Sequence, residues 1–424
     1  MATGGTTMIP KLNSYKEKWN VQSDDVIKPG LTAIQEALAR LDNPENKLQV
    51  VHLAGTNGKG STLTFLESIA KEHGLRVGKF MSPCILDVHD QIQVEGQAIT
   101  EAEMNHVFQQ MQAAGLSGKL TDFELLTVAV FLHFVASDVD IALIEAGMGG
   151  LLDSTNVVTP IVSIIPSIAL EHTNFLGNTI ESIAHHKAGI IKPYRPVVIG
   201  DLPLEAKNIV YQEAQKKHSS VLELNHHFYI EQENDGESYM HNDNSFHIIK
   251  LTRTMKGAHQ GNNMALAITA FFEVATALEL QLSKEAIQKA VKNATILGRF
   301  EEIMPYIFLD GAHNPASAEK LIETIKKEFP DEQITFVIGI LADKAVTEIL
   351  QQFEQVSDYF YFVDFNNPRA MAAHNMLELS NASHKVVLED YVQFLKLQSE
   401  NKSRTIVSGS LYLLTEVRSR LKNI

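Results

Sequence analysis

The chain of 424 residues has one cysteine, Cys84. That excludes an intrachain disulfide and any zinc site built from several cysteines, and it favours a reducing compartment. No uninterrupted apolar run approaches the ~20 residues of a membrane span. The opening stretch, MATGGTTMIPKLNSYKEKWN, lacks an apolar core of signal-peptide length, so a cytoplasmic location without a membrane partner is expected. Positive charge is scarce: 36 Lys and Arg stand against 51 Asp and Glu, a formal net charge of −15. This argues against a general nucleic-acid or anionic-membrane binder while leaving room for a local basic pocket. Low-complexity tracts and short repeats are missing too. What is present, 45% hydrophobic and 21% charged residues, is the composition of a globular protein. The length calls for two domains.

Along the chain, strands alternate with helices. LTAIQEALARL (31–41) has helical spacing and is broken by DNPEN; LQVVHLA reads as a buried strand running into a glycine loop. STLTFLESIAKEHG follows as a helix with Gly74 at its stop, FELLTVAVFLHFVA is an apolar helix, and DIALIEAG is a second buried strand. IVSIIPSI and RPVVIG predict further strands, and residues 219–253 an antiparallel excursion. A boundary near 293–300 precedes a second alternation of five strands with helices. The fold class expected is α/β, with an N-terminal domain over 1–296 built on a mostly parallel sheet and a smaller Rossmann-like domain over 297–424. Ligands are expected in the cleft at the carboxyl ends of the strands.

VVHLAGTNGKGSTLTFLESIA (50–70) carries the first chemical signal. Backbone N–H groups of a glycine loop that opens a helix point at an anion, and Lys59 can reach the outer phosphates of a nucleotide. The match to G-x-x-x-x-G-K-[ST] is imperfect, because Leu53 stands at the first glycine and Gly60 at the metal-binding Ser/Thr. A metal ion therefore needs ligands from elsewhere, and Glu145, at the tip of DIALIEAG, is placed to give one. An ordinary strand–helix turn, a capping glutamate and a structural histidine at His172 are the plain alternatives for these residues.

The order LAGTNGKGS, IEAGMGGLLDSTNVV, EHTNFLGNTIESIAHHKAGIIKP, GAHQGNN, GRFEE, LDGAHNP and SGSLYLLTEV resembles the folylpolyglutamate synthase/dihydrofolate synthase family. These are ATP-dependent amide ligases related to the cell-wall Mur ligases, and the resemblance runs over residues 28–421. It implies that Asn57, Gly58, Lys59, Gly60 and Ser61 hold the ATP phosphates, and that Asn263, Arg299 and Asp310 complete the nucleotide site. It places Mg²⁺ on Ser82, Glu145 and His172, and a carbamylated lysine at Lys187. His313 falls where the transferred group is oriented. The pterin acid falls to Lys28, Pro29, Gly30, Thr121, Asp122, Phe123, Glu124, Leu152, Asp153 and Ser154. Lys59, Lys187 and His313 are thus the expected catalytic set. The implied reaction phosphorylates a carboxylate of dihydropteroate or a reduced folate with ATP and joins it to L-glutamate, in a monomer with no nucleic-acid partner.

The chain departs from the family pattern at four places. Cys84 replaces the histidine of S-P-H, Leu151 the arginine of G-G-R-L-D, Glu171 an aspartate and His186 a glutamate. Loss of the arginine removes a fixed cation with five donors beside the substrate region. Three rivals remain open at this level: a Mur ligase, for which too little chain precedes the loop; a P-loop kinase or regulatory NTPase, which would carry the usual Ser/Thr after the lysine; and a degenerate paralogue that binds without ligating.

Overall fold

A computed structural model describes residues 9–24, 28, 30–84, 87–242 and 246–422. The chain divides into two compact units, one comprising Met1–Arg253 with Gly261–Ala294, the other Thr254–Gln260 with Thr295–Ile424. Among the described residues no helix is long and apolar enough to cross a membrane.

The first unit is built on an eight-stranded sheet. Its strands are β1 (Val50–Leu53), β2 (Val77–Phe80), β3 (Ile92–Val94), β4 (Gln97–Ala98), β5 (Ile141–Glu145), β6 (Val162–Ile165), β7 (Val197–Ile199) and β8 (Val221–Glu223). The order across the sheet is β4-β3-β2-β5-β1-β6-β7-β8. From β2 to β8 all pairings are parallel, and β3 and β4 add an antiparallel edge. Strands such as VVHL and IALIE are buried along their whole length, as parallel strands covered on both faces must be. One apolar cluster packs the helices Glu101–Ala113 and Asp122–Ala136 on β2 and β5; another packs Ile180–Ala188 and Leu204–Lys216 on β6 and β7.

The chain leaves β1 towards β2 on one side, whereas β5 connects across β1 to β6 on the other. The strand order reverses at β1, and crevices for ligands form at the carboxyl ends around such a switch. Loops 54–58, 81–84, 146–153 and 166–172 all leave from that end.

The stretch 219–253 differs from the expectation of a wholly antiparallel excursion. Its first strand, β8, joins the main sheet in parallel. Only β9 (Phe228–Glu233), β10 (Gly236–His241) and β11 (His247–Leu251) form a separate antiparallel sheet. The helix Ala258–Ala277 follows.

The second unit has six strands rather than five: β12 (Glu301–Met304), β13 (Ile307–Asp310), β14 (Ile334–Ile338), β15 (Tyr359–Val363), β16 (His384–Leu388) and β17 (Arg404–Ser408), ordered β12-β13-β17-β14-β15-β16. The additional strand, β12, pairs antiparallel with β13 through the turn at Pro305–Tyr306. With two residues in the turn and half-exposed strand positions, it had no apolar run to announce it. The remaining five strands are parallel. The helix Pro315–Glu328, opened by an Asn314 capping box with proline at its start, covers one face.

Candidate active site

The glycine loop is shaped by its partners in the loop that follows β6. The Thr56 N–H donates to the Ser167 carbonyl at 2.9 Å and its hydroxyl to the Ala169 carbonyl at 3.1 Å, while the Asn57 N–H donates to Ser167 Oγ at 2.9 Å. Gly58 caps the helix Lys59–Glu72 with φ of 86°, a left-handed value natural to glycine. A Cβ at Gly58 would stand 2.5 Å from Asn263 Oδ1, and one at Gly55 would stand 3.0 Å from Pro166 Cδ. Asn263 is buried. So Asn57, Gly58, Lys59, Gly60, Ser61 and Asn263 are gathered at the amino end of one helix, where backbone donors and the helix dipole favour an anion.

Lys59 folds back across the loop. Its ammonium donates to the Gly55 carbonyl at 2.6 Å and the Thr56 carbonyl at 3.2 Å, and it lies 3.8 Å from the buried carboxylate of Glu145. Glu145 ends β5 directly beside Leu53 of β1. Ser82 leaves β2, the strand on the other side of β5, at the same end of the sheet. His172 is exposed, with φ of 47°, at the start of the short helix Thr173–Leu176. A carboxylate and a hydroxyl are hard oxygen donors of the kind Mg²⁺ takes alongside several waters, so Glu145 and Ser82 fit that ion in chemistry. Among the described residues no group of three or more His, Cys, Asp or Glu side chains is arranged to hold a metal by itself.

Lys187 is almost fully buried on the helix Ile180–Ala188, and its ammonium donates to Glu171 Oε1 at 2.5 Å. Burial pulls its amine down to about 8 against the opposing pull of Glu171. Burial works against the charge of Glu171, but the Lys187 and Lys59 ammonium groups overcome it and hold the carboxylate down at about 2. Glu171, noticed in the sequence only as a departure from the family pattern, is therefore the direct partner of Lys187. Its adjacency to His172 was the one available signal.

The residues expected to meet the pterin acid separate into two groups. Thr121 and Glu124 form a capping box at the helix Asp122–Ala136, and Asp122 accepts from the Lys16 ammonium at 2.7 Å and from Ser23 Oγ at 2.5 Å. Asp153 is buried. Its Oδ1 accepts from the Thr155 N–H at 3.0 Å and hydroxyl at 2.6 Å, and its Oδ2 from the Met148 N–H at 2.8 Å. Burial raises its carboxyl above the usual range while these donors oppose the rise. Ser154 Oγ lies 2.6 Å from Thr127 Oγ1. These polar groups organise their own loops. Phe123 and Leu152 have the freer surfaces: the Phe123 ring covers Gly147, where a Cβ would come within 2.4 Å of it, and Leu152 is 42% exposed. Gly30 N–H faces the Leu152 carbonyl at 3.5 Å, and Lys28 pairs with Asp24 in an exposed ion pair. Pro29 lies outside the described residues. Leu151, in the place of the family's arginine, packs on Gly189, and its N–H donates to the His186 carbonyl at 2.7 Å. Burial lowers the His186 imidazole, with help from His185 and Lys187.

In the second unit, Arg299 lies against Gly311, with Nη1 3.3 Å from the Gly298 carbonyl. Asp310 ends β13; its two oxygens accept the N–H groups of Phe300 at 2.9 Å and Ala312 at 3.0 Å. Burial raises its carboxyl and Arg299 opposes that rise. The His313 ring nitrogen Nδ1 donates to the Gly311 carbonyl at 2.9 Å.

Comparison with known proteins gives these units a lineage. Residues 53–271 match the Mur ligase middle domain, and residues 299–421 match the dihydrofolate synthetase C-terminal domain. The chain is 35% identical to a dihydrofolate synthase/folylpolyglutamate synthase of Bacillus subtilis, over 93% of this chain and 96% of that one. It is 30% identical to the protein of the same description from Escherichia coli, over 95% and 93%. The solved structure of E. coli FolC in complex with DHPP and ADP superposes with a TM-score of 0.88 at 26% identity, covering 99% of each chain. With both domain families matched in order and such relatives aligned end to end, the chain belongs to the folylpolyglutamate synthase/dihydrofolate synthase family of the Mur ligase superfamily, the ATP-dependent ligases that join glutamate to folates.

Proposed function

We propose that this chain joins L-glutamate both to dihydropteroate and to reduced folates, through an acyl phosphate. The single observation that carries this is the end-to-end likeness to the Bacillus subtilis and Escherichia coli relatives, whose names state both activities. A cytoplasmic, monomeric enzyme is part of the same reading.

A carboxylate resists attack by an amine because an oxide is a poor leaving group. A carboxylate oxygen of the pterin acid attacks the γ-phosphorus of ATP, the bond to the bridging oxygen breaks, and ADP leaves. The glutamate amine adds to the acyl phosphate carbonyl, loses a proton, and inorganic phosphate departs with its electron pair. Most of this is positioning and charge neutralisation.

On this reading the N–H groups of Asn57–Ser61 hold the phosphates and the Lys59 ammonium swings from its own loop carbonyls to the outer phosphates. Asn263, Arg299 and Asp310 are proposed for the rest of the nucleotide, and His313 for the amine end of the reaction. Mg²⁺, assigned to Glu145, Ser82 and His172, would supply charge neutralisation to the triphosphate. Lys187 has the buried, weakened amine that carbamylation needs; a carbamate resonance from ¹³C-bicarbonate, lost in Lys187→Arg, would show it. Phe123 and Leu152 offer apolar surface to a pterin.

The test is an ADP-release assay with dihydropteroate and with tetrahydrofolate, each with and without glutamate. Release with both acids, dependent on glutamate, is expected. Release with only one acid would remove the dual activity, and release that ignores glutamate would remove the ligase reading.

A further inference from the structure

His52 stands in the middle of β1, three residues before Gly55, with no exposed surface. Its Nε2 lies 2.9 Å from Thr155 Oγ1, and Thr155 Oγ1 donates to Asp153 Oδ1 at 2.6 Å. A hydroxyl has one proton, and here the carboxylate receives it. Nε2 must therefore carry the imidazole proton and donate to Thr155, which leaves Nδ1 bare. Nδ1 is buried and has no hydrogen-bond partner. Burial holds the ring neutral, pulling it down to about 3.

An unpaired buried ring nitrogen is a cost that an aliphatic residue in the same strand would avoid. Strand packing alone thus gives no reason for a histidine. The reason lies at the far end of the wire. Asp153 gathers the N–H groups of Met148 and Thr155, and the Gly147 N–H also bonds to it, so it sets the course of loop 147–155. That loop carries Gly147 beneath the Phe123 ring and the exposed Leu152. The loop is also anchored at Leu151, whose N–H donates to the His186 carbonyl at 2.7 Å and whose carbonyl accepts from Asn156 Nδ2 at 3.0 Å, and at Ser154, which meets Thr127. These bonds do not involve the Asp153 carboxylate, whose side-chain tie to β1 is Thr155 and His52.

We propose that His52 is a positioning residue that ties the strand feeding the phosphate loop to the loop presented to the pterin acid, through the wire His52 Nε2–H to Thr155 O–H to Asp153. This rests on the proposed function, since it names what that site must keep in register. It is not a proton path; both links keep their protons.

The experiment uses the full chain, with ADP release followed while each substrate is varied, for His52→Leu, His52→Gln, Thr155→Val and Thr155→Ser. Glutamine keeps a donor at the reach of Nε2, and serine keeps the hydroxyl. The Leu and Val variants should raise KM for dihydropteroate about tenfold, the effect of one lost buried hydrogen bond, with the ATP KM and the melting temperature little changed. The Gln and Ser variants should recover most of that loss. The proposal is overturned if dihydropteroate KM is unchanged in the Leu and Val variants, or if all KM values rise together without rescue by Gln or Ser. Should His52→Leu fail to fold, the Thr155 pair decides by the same criteria. A wild-type enzyme that releases no ADP with either acid would instead refute the functional reading, before any variant is compared.

Discussion

Gly58→Ala tests whether the loop's shape, and not merely its composition, serves the nucleotide. At φ of 86° an alanine incurs a left-handed penalty of about 1–2 kcal/mol. The new methyl group would also sit 2.5 Å from Asn263 Oδ1 and 3.2 Å from Pro166 Cβ. Ordinary contact begins at 3.4 Å, so the amide oxygen must retreat by 3.4 − 2.5 = 0.9 Å. Asn263 is buried, and driving its side chain off its rotamer costs about 0.5–1.5 kcal/mol more. The two terms together give about 1.5–3.5 kcal/mol against the conformation that presents the loop N–H groups. At tenfold per 1.4 kcal/mol, KM for ATP should rise by roughly ten- to three-hundredfold. Gly74→Ala is the matched control: its φ is 84°, yet nothing lies within 4 Å of the added carbon. It incurs the conformational penalty alone, at the far end of the same helix, and should lower the melting temperature by a few degrees with ATP KM unchanged. A Gly58→Ala enzyme with wild-type ATP KM would refute the reasoning. So would a Gly74→Ala enzyme with the same ATP defect.

Three further outcomes are expected. Lys59→Ala should abolish ligation, because the ammonium poised over the loop is the loop's own cation; near-normal ADP formation in the presence of pterin acid and glutamate would refute its role. The buried pair between Lys79 on β2 and Glu67 on the helix Lys59–Glu72 should be costly to break. Glu67 Oε1 already has no partner, so Lys79→Met should lose about 3–5 kcal/mol in denaturant unfolding. The double variant with Glu67→Gln should recover much of this, and a double variant no better than the single would contradict the argument. Cys84 is buried, and burial pushes its thiol up to about 12. A neutral-pH thiol reagent should modify it only on unfolding. Because the folded thiol resists ionisation, its contribution to stability is intact below pH 9 and declines as pH rises from 9 towards 12. Cys84→Ala should flatten that decline in the melting profile, and rapid labelling of the folded chain would refute the burial.

The parts of this protein that could be read from the sequence are those whose signal is local. LQVVHLA, the glycines after it and STLTFLESIAKEHG lie side by side in the chain, so strand, turn and helix could be placed before any contact was known. The same holds for IALIE with Glu145 at its tip. TDFE carries a second local signal: Thr121 and Glu124 are expected beside the substrate, and S/T-x-x-E before an apolar run is also a helix-start pattern, which both side chains make here. Asp153 is similar, since an aspartate two residues before a threonine can cap its own turn, as it does here. What sequence does not display is pairing at long range. The loop at Thr56 and Asn57 is held by Ser167 and Ala169, about 110 positions away, and His52 meets Thr155 at a separation of 103. No spacing rule links such partners, because the sheet order that brings β6 beside β1 is decided by packing across the whole unit. One signal was present all the same. A histidine inside an otherwise apolar strand that is buried on both faces has to find a hydrogen-bond partner or go without at a cost. That requirement favours a polar side chain on a neighbouring element opposite His52, and the residues that meet it at Nε2, Thr155 and through it Asp153, are those that shape the loop beside Phe123.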